Sequence, residues 1–240
     1  MPPPAKPNYG VDAPPVIMTF VGLAFGLTFL GIFVGSGTGR VAAGLAPWWA
    51  AVACAATALG MIWSSKVGKP ALWRRTLDGL ALQGDERALD VGCGRGLVLN
   101  ELALRLPSGR ATGVDIWRGK DQSGNTRAVA ELNARLVGVA DRVEIVDGDM
   151  TALSFPDDSF DLVTASLAIH NVRLAEDRAR ALQGIMRVLR PGGRVVIIDI
   201  AKTAEYADAL RDGGFADVAR SGLGFSIYPP VRTVTATKPA

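Results

Sequence analysis

Three glycines set two residues apart, Gly92, Gly94 and Gly96, break the apolar run LDVGCGRG at residues 89–96. Glycine at this density lets a chain turn sharply and lets backbone approach a ligand closely. A helix with leucine spacing opens near Arg95, and its free N–H groups and positive dipole end suit a carboxylate or a phosphate. Nineteen residues past Gly96 comes Asp115, a carboxylate suited to both hydroxyls of a ribose. Asp149, in GDM, is suited to accept from an adenine amino group.

Several ligands fit that much. A nicotinamide dinucleotide, an adenosine-bearing sulfonium or a simple tight turn each explains part of it. The spacing is G-x-G-x-G, with Leu97 where the dinucleotide pattern G-x-G-x-x-G has its last glycine. No Tyr-x-x-x-Lys pair supports a nicotinamide-dependent reductase, and the intact loop with both acidic residues argues against a non-catalytic membrane module that keeps the fold. Both remain the alternatives. With one histidine, and Cys54 and Cys93 at no ligand spacing, no metal site is expected.

Strands and helices alternate around these residues. Expected strands are 87–92, RATGVDIW, RVEIVDGD, FDLVTASLAIHN and RVVIIDI, with two weaker ones in ADVARSG and VRTVTATK. Helices are expected through GLVLNELALRLP, TRAVAELNARLVG with Gly138 as C-cap, EDRARALQGIMRVLR and EYADALRDGG. Such alternation predicts an α/β fold with a mainly parallel, doubly wound sheet, whose ligands bind at the carboxyl ends of the strands.

The ordered set LDVGCGRG, GVDIW, DGDM, FDLVTASLAIHN and VLRPGGRVVIID resembles the class I S-adenosylmethionine-dependent methyltransferases, from about Arg87 to Lys238. The resemblance implies a Rossmann-like seven-stranded sheet with a reversed last strand, and S-adenosyl-L-methionine as cofactor. It implies that Asp90, Gly92, Gly94 and Gly96 hold the methionine end and Asp115 the ribose, with Ile116 beside the adenine. Asp149 and Met150 would bind adenine; Trp117 and Ser166 join this cofactor set. ASLAIHN lacks the [DN]-P-P-[YF] signature of base and amide methylation. It is broadly similar to the small-molecule and lipid branch around the ubiquinone/menaquinone methyltransferases, without that group's arginine-containing turn. His170 is suited to act as a general base near neutral pH, or equally to shape the pocket wall. Asn171 could orient an acceptor or cap a helix. The loop at 117–126 is read as a polar cover over the site or a solvated connection.

Upstream, the chemistry changes. Between Ala13 and Ser65 the only charged residue is Arg40. Residues 15–34 and 41–63 are each long enough to cross the roughly 30 Å hydrocarbon core as helices. A two-helix transmembrane hairpin is therefore expected, against a cleaved signal peptide or buried helices of a soluble domain. Trp48, Trp49 and Trp63 lie near the ends of the second span, Pro47 is expected in its first turn, and Gly22, Gly26, Gly31 and Gly35 allow close helix packing. Lys66, Lys69, Arg74 and Arg75 follow the second span, which predicts a membrane location with the catalytic domain facing the cytoplasm.

The expected organisation is a disordered tail at 1–14, the hairpin, a juxtamembrane amphipathic segment at 66–83, and a methyltransferase domain at 84–240. The segment at 66–83 would lie on headgroups or pack on the sheet. Between the fifth and sixth strands there is no room for a substrate-covering insertion. The expected partners are a lipophilic or small-molecule methyl acceptor and the lipid bilayer, with a homo-oligomer possible. A net charge of +3 gives no reason to expect nucleic acid.

Overall fold

The computed structural model describes residues 6–38, 41–119 and 121–240; Arg40, which entered the charge argument, lies outside them. Two apolar helices come first, α1 (Pro14–Thr38) and α2 (Val41–Trp63), and pack on each other. Each is long and apolar enough to cross a membrane. Pro47 lies inside α2 rather than in its first turn. A Cβ at Gly22, Gly26 or Gly35 would meet nothing within 4 Å. Those three glycines therefore do not mediate the α1–α2 contact, whereas Gly31, the fourth, is buried, and Ile17, Ala58 and Met61 form a buried cluster.

The second helix runs on without a break. A π-helical turn at Ser64–Gly68 passes directly into α3 (Lys69–Asp78). Ser65 Oγ donates to the Met61 carbonyl at 3.1 Å, a side chain inserted at the point where the helix ladder widens. Trp73 and Leu77 of α3 are buried in the core against the sheet, and Trp73 Nε1 donates to Ser166 Oγ at 2.8 Å. Of the two readings of this segment, packing on the sheet is the one seen, so the folded domain starts before residue 84. Trp73→Ala is expected to cost about 3–5 kcal/mol, read as a lower thermal midpoint of the detergent-solubilised chain.

The sheet comprises β1 (Arg87–Val91), β2 (Arg110–Asp115), β3 (Val143–Asp147), β4 (Phe160–Ser166), β5 (Leu189–Asp199), β6 (Ala216–Arg220) and β7 (Arg232–Thr237). Their order is β3-β2-β1-β4-β5-β7-β6, parallel except for β7, which runs antiparallel to both neighbours. This is the expected doubly wound, Rossmann-like sheet with a reversed last strand. One face packs on α3, α4 (Leu97–Arg105) and α5 (Arg127–Val137), the other on α6 (Ala175–Val188) and α7 (Thr203–Asp212). Apolar side chains on both faces, such as Leu89, Val163 and Ile197 on one and Leu162, Val196 and Ile198 on the other, explain why the strands read as continuous apolar runs. β5 starts earlier than its apolar run suggests, because a bulge around Pro191–Gly193 is absorbed between its pairings with Phe160 and Leu162.

The tail is not disordered over its described part. Ser123 N donates to Val11 O and Ala13 N to Asp121 O, each at 3.0 Å, so residues 11–13 pair with the loop after β2. Asn8 and Asn133 exchange hydrogen bonds at 2.9 and 3.0 Å. These backbone and side-chain partners fix a segment whose proline content suggests an unpaired chain.

Candidate functional site

At the carboxyl ends of β1, β2 and β3 lies a cavity of about 350 Å³. Of the residues expected to hold a cofactor, Asp90, Gly92, Gly94, Asp115, Ile116, Asp149, Met150 and Ser166 line it, and so does Asn171. Gly96, Trp117 and His170 do not line it. Gly96 adopts φ +82° as the residue ahead of α4, so its role is the turn itself. Trp117 turns its indole N–H to Asp147 at 2.6 Å, outside the cavity.

The glycines work differently from the simplest expectation. A Cβ on Gly92 would stand 2.5 Å from the Cβ of Ala168, and one on Gly94 would stand 2.5 Å from Gln122 Oε1. They make room for protein as well as for a ligand. The N–H groups of the loop are also engaged: Gly94 N donates to Asp115 Oδ2 at 2.8 Å and Arg95 N to Gln122 Oε1 at 2.9 Å. Asp115 Oδ1 accepts from Trp117 N at 2.6 Å and from Asn125 Nδ2 at 3.3 Å. Asp115 thus ties the glycine loop to the loop after β2 while its carboxylate borders the cavity. Asp149 Oδ1 accepts from the backbone and hydroxyl of Thr151 at 2.8 and 2.9 Å, which orients it at the end of β3.

Asp90 is fully buried and accepts from Thr164 Oγ1 at 2.9 Å. Burial pushes its carboxyl up to about 7, opposed by the Thr164 hydroxyl, the Leu99 backbone N–H at the start of α4 and, more weakly, Lys69. Cys93, beside it, is buried and its thiol is raised well above its usual value, first by desolvation and then by Asp90 and Asp115.

Several lining residues escape sequence reasoning, among them Asp12, Lys69, Gln122 and Asn125. Lys69 is buried and its Nζ lies 2.7 Å from both Asp12 oxygens. By position in the sequence it is one of the cations that follow the second apolar stretch, yet in the fold it is paired within the domain. Gln122 Nε2 donates to Tyr9 O at 3.0 Å, joining the tail to the cover loop. The one available signal is the polarity of residues 117–126. Nothing local marks Asp12, whose partners lie far along the chain.

The cavity's charges decide between ligand classes. Asp12, Asp90, Asp115, Asp121, Asp149 and Asp177 line it against Lys69, Arg118 and Arg173. Such a lining favours a ligand carrying positive charge and opposes a pyrophosphate, which removes the main attraction for a nicotinamide dinucleotide. It fits a nucleoside whose tail carries cationic groups and one carboxylate, with Lys69 as the buried cation nearest to hand. Among the described residues no group of three or more His, Cys, Asp or Glu is arranged to hold a metal.

Beside the cavity, His170 sits in a short helical turn after β4 and faces β5. Its Nδ1 lies 2.5 Å from Asp199 Oδ1, off the line of a well-formed hydrogen bond. Asp199 is buried and also accepts from His170 N, Ile200 N and Tyr206 Oη. Burial, then the Asp199 charge, holds the Tyr206 hydroxyl in its protonated form.

Residues 89–197 match the family described as Methyltransferase domain. Over 137 residues the chain is 34% identical to the "Ubiquinone/menaquinone biosynthesis C-methyltransferase UbiE" of Roseobacter denitrificans, covering 57% of this chain and 51% of that protein. To the "Demethylmenaquinone methyltransferase" of Clavibacter sepedonicus it is 37% identical over 136 residues, 56% of this chain and 50% of that one. The chain therefore spans about half the length of the curated relatives it matches. Among solved structures it is similar to the cyclase SpnF, with a TM-score of 0.63 and 20% identity over 74% of this chain and 83% of that one. A SAM dependent methyltransferase from Aquifex aeolicus gives 0.56 and 19%, over 69% of this chain and 88% of that one. At those identities the likeness shows the fold.

Proposed function

We propose that this chain, whose C-terminal domain belongs to the class I S-adenosylmethionine-dependent methyltransferases, is a membrane-anchored enzyme that methylates a small lipophilic acceptor. The observation that carries the reading is the aspartate-rich cavity at the carboxyl ends of β1–β3, bordered by the glycine loop. When bound there, the cofactor supplies an electrophilic methyl group on a sulfonium. The chain's own residues do the rest. Asp115 and Asp149 accept hydrogen bonds at the nucleoside end, Met150 and Ile116 give apolar contact, and Lys69 provides a cation for a carboxylate. Alignment of acceptor and methyl group is then the main catalytic demand.

A proton must also leave many acceptors. His170 is proposed as its acceptor through Nε2, because Nδ1 faces the buried Asp199 and the backbone N–H of His170 anchors the same carboxylate. His170→Ala is expected to leave binding of S-adenosylmethionine within about twofold, and to lower turnover by a factor of about 10² or more. Equal turnover in the variant would leave His170 as a structural partner of Asp199.

The anchor rests on the outer faces of α1 and α2. Phe25, Phe29, Phe33, Trp49 and Leu59 are each about two-thirds exposed or more, which suits lipid and not the core of a soluble domain. Lys66 and Arg75, exposed just beyond the second span, favour a cytoplasmic domain. The relatives' names, which concern ubiquinone and menaquinone biosynthesis and demethylmenaquinone, agree with an acceptor that partitions into lipid. A fold shared with a cyclase does not fix the reaction, so the test must follow the methyl group itself. Incubating the full chain with methyl-tritiated S-adenosylmethionine and a bacterial lipid extract is expected to give organic-soluble label. Label only in the aqueous phase would replace the lipophilic acceptor, and S-adenosylmethionine that fails to bind would remove the enzyme reading altogether.

A further inference from the structure

The segment joining β6 to β7, residues 221–231, has no role in the cavity or its lining, yet it is the most apolar exposed loop of the C-terminal domain. Leu223, Phe225 and Tyr228 are 52%, 75% and 44% exposed, while Ile227 and Val231 turn inward to the core at 2% each. The loop is thus held from beneath and presents its largest apolar side chains outward.

Its position is fixed by the end of the second span. Tyr228 N donates to Ser64 Oγ at 3.0 Å. A Cβ built on Gly60 would lie 3.8 Å from the Tyr228 ring, and one on Gly68 would lie 2.2 Å from the Ser226 carbonyl oxygen. Gly60 belongs to α2, a turn before Trp63, which is itself 52% exposed. An aromatic ring packed against Gly60 therefore sits at the depth of the last turn of the span. β6 is parallel to β5, both being antiparallel to β7, so the loop after β6 leaves the same edge of the sheet that holds the cavity.

We propose that the β6–β7 loop is a second membrane-contacting element: Leu223, Phe225 and Tyr228 enter the bilayer interface beside the emerging end of α2. The loop and the span then hold the cavity-bearing edge of the sheet against the lipid surface, where an acceptor dissolved in lipid can reach it. The proposal rests on the membrane-anchored reading of α1 and α2. The occupant is lipid because the patch continues the exposed apolar and aromatic surface of α2 through Trp63 and Tyr228, the residue types that favour the interface.

The test uses the full chain in vesicles of phosphatidylcholine with phosphatidylglycerol. In a Cys54→Ala background, Phe225→Cys is labelled with an environment-sensitive fluorophore. Two reference sites accompany it, Phe29→Cys on the outer face of α1 and Asp141→Cys, which is exposed before β3 at the opposite edge of the sheet. The probe at 225 is expected to behave like that at 29: several-fold less quenching by aqueous iodide than at 141, and strong quenching by doxyl-labelled lipid. A probe at 29 in lipid with one at 225 as open to iodide as that at 141 overturns the loop contact alone. Probes at both 29 and 225 in water overturn the anchored reading and the loop contact with it. Shielding from iodide at 225 without quenching by doxyl lipid means a second protein copy covers the patch, and equally overturns the proposal.

Discussion

Asp115→Ala is expected to weaken binding of S-adenosylmethionine by roughly 30- to 150-fold, on the order of 2–3 kcal/mol for hydrogen bonds lost from a charged acceptor. The magnitude comes from two losses at once. The carboxylate borders the cavity, where it is proposed to accept from the ribose, and it also accepts from Gly94 N, Trp117 N and Asn125 Nδ2. Removing it leaves Gly94 N in the glycine loop and Trp117 N in the loop after β2 without partners, so both loops loosen as the ligand contact disappears. Titration calorimetry on the full chain in detergent reads the affinity, and the thermal midpoint without ligand reads the loop. Asp115→Asn, which keeps one oxygen, is expected to fall between the two. Wild-type affinity in the alanine variant would remove Asp115 from the cofactor site.

The second large effect is one of pH and falls on Asp90. Its carboxyl titrates at about 7 in the folded chain against a reference of 3.8, because burial disfavours the charge. A carboxyl with a raised folded value binds more protons folded than unfolded between those two points. Stability is therefore expected to fall as pH rises from about 4 to about 7, then to level off. The full difference is on the order of 4 kcal/mol at 1.36 kcal/mol per unit. Asp90→Asn should abolish this slope and be the more stable protein at pH 8, since its amide oxygen can still accept from Thr164. Binding runs the other way. A cationic ligand prefers the ionised carboxyl, so wild-type affinity for S-adenosylmethionine is expected to rise through pH 7 by about tenfold or more. The asparagine variant should show only the shallow change due to the ligand's own ammonium group. Identical pH profiles for the two proteins would overturn the account of Asp90.

Much of the fold is legible because its signals are local. Apolar runs ended by glycine or proline mark the strands, Gly138 marks the end of α5, and absence of charge marks both apolar helices. Asp90, Asp115 and Asp149 can be read together because they lie at or near the carboxyl ends of successive strands, whose direction is set by the alternation of elements. What stays hidden depends on distant pairing. Asp12 meets Lys69 and the tail meets residues 121–123, contacts between segments that share no period or motif. Trp117 has the place of a cofactor contact, just after Asp115, but a positive φ of 59° turns the chain so that its indole reaches Asp147. His170 stands out by its chemistry, and a sequence holds no sign that Asp199 would claim one side of its ring.

The continuous run from α2 through the π turn into α3 has a mechanical consequence. With Trp73 in the domain core and no flexible connector after Trp63, a hairpin that spans a bilayer would carry the domain as a rigid strut. The domain could not bob or swing, and its working range would shrink to a thin slab parallel to the bilayer. Substrates would then be sorted by how deep in the lipid their reactive atom rides, before any pocket residue touches them. Lengthening the helix between Trp63 and Lys69 by one turn would raise that slab by about 5.4 Å, turning helix length into a selector of acceptors.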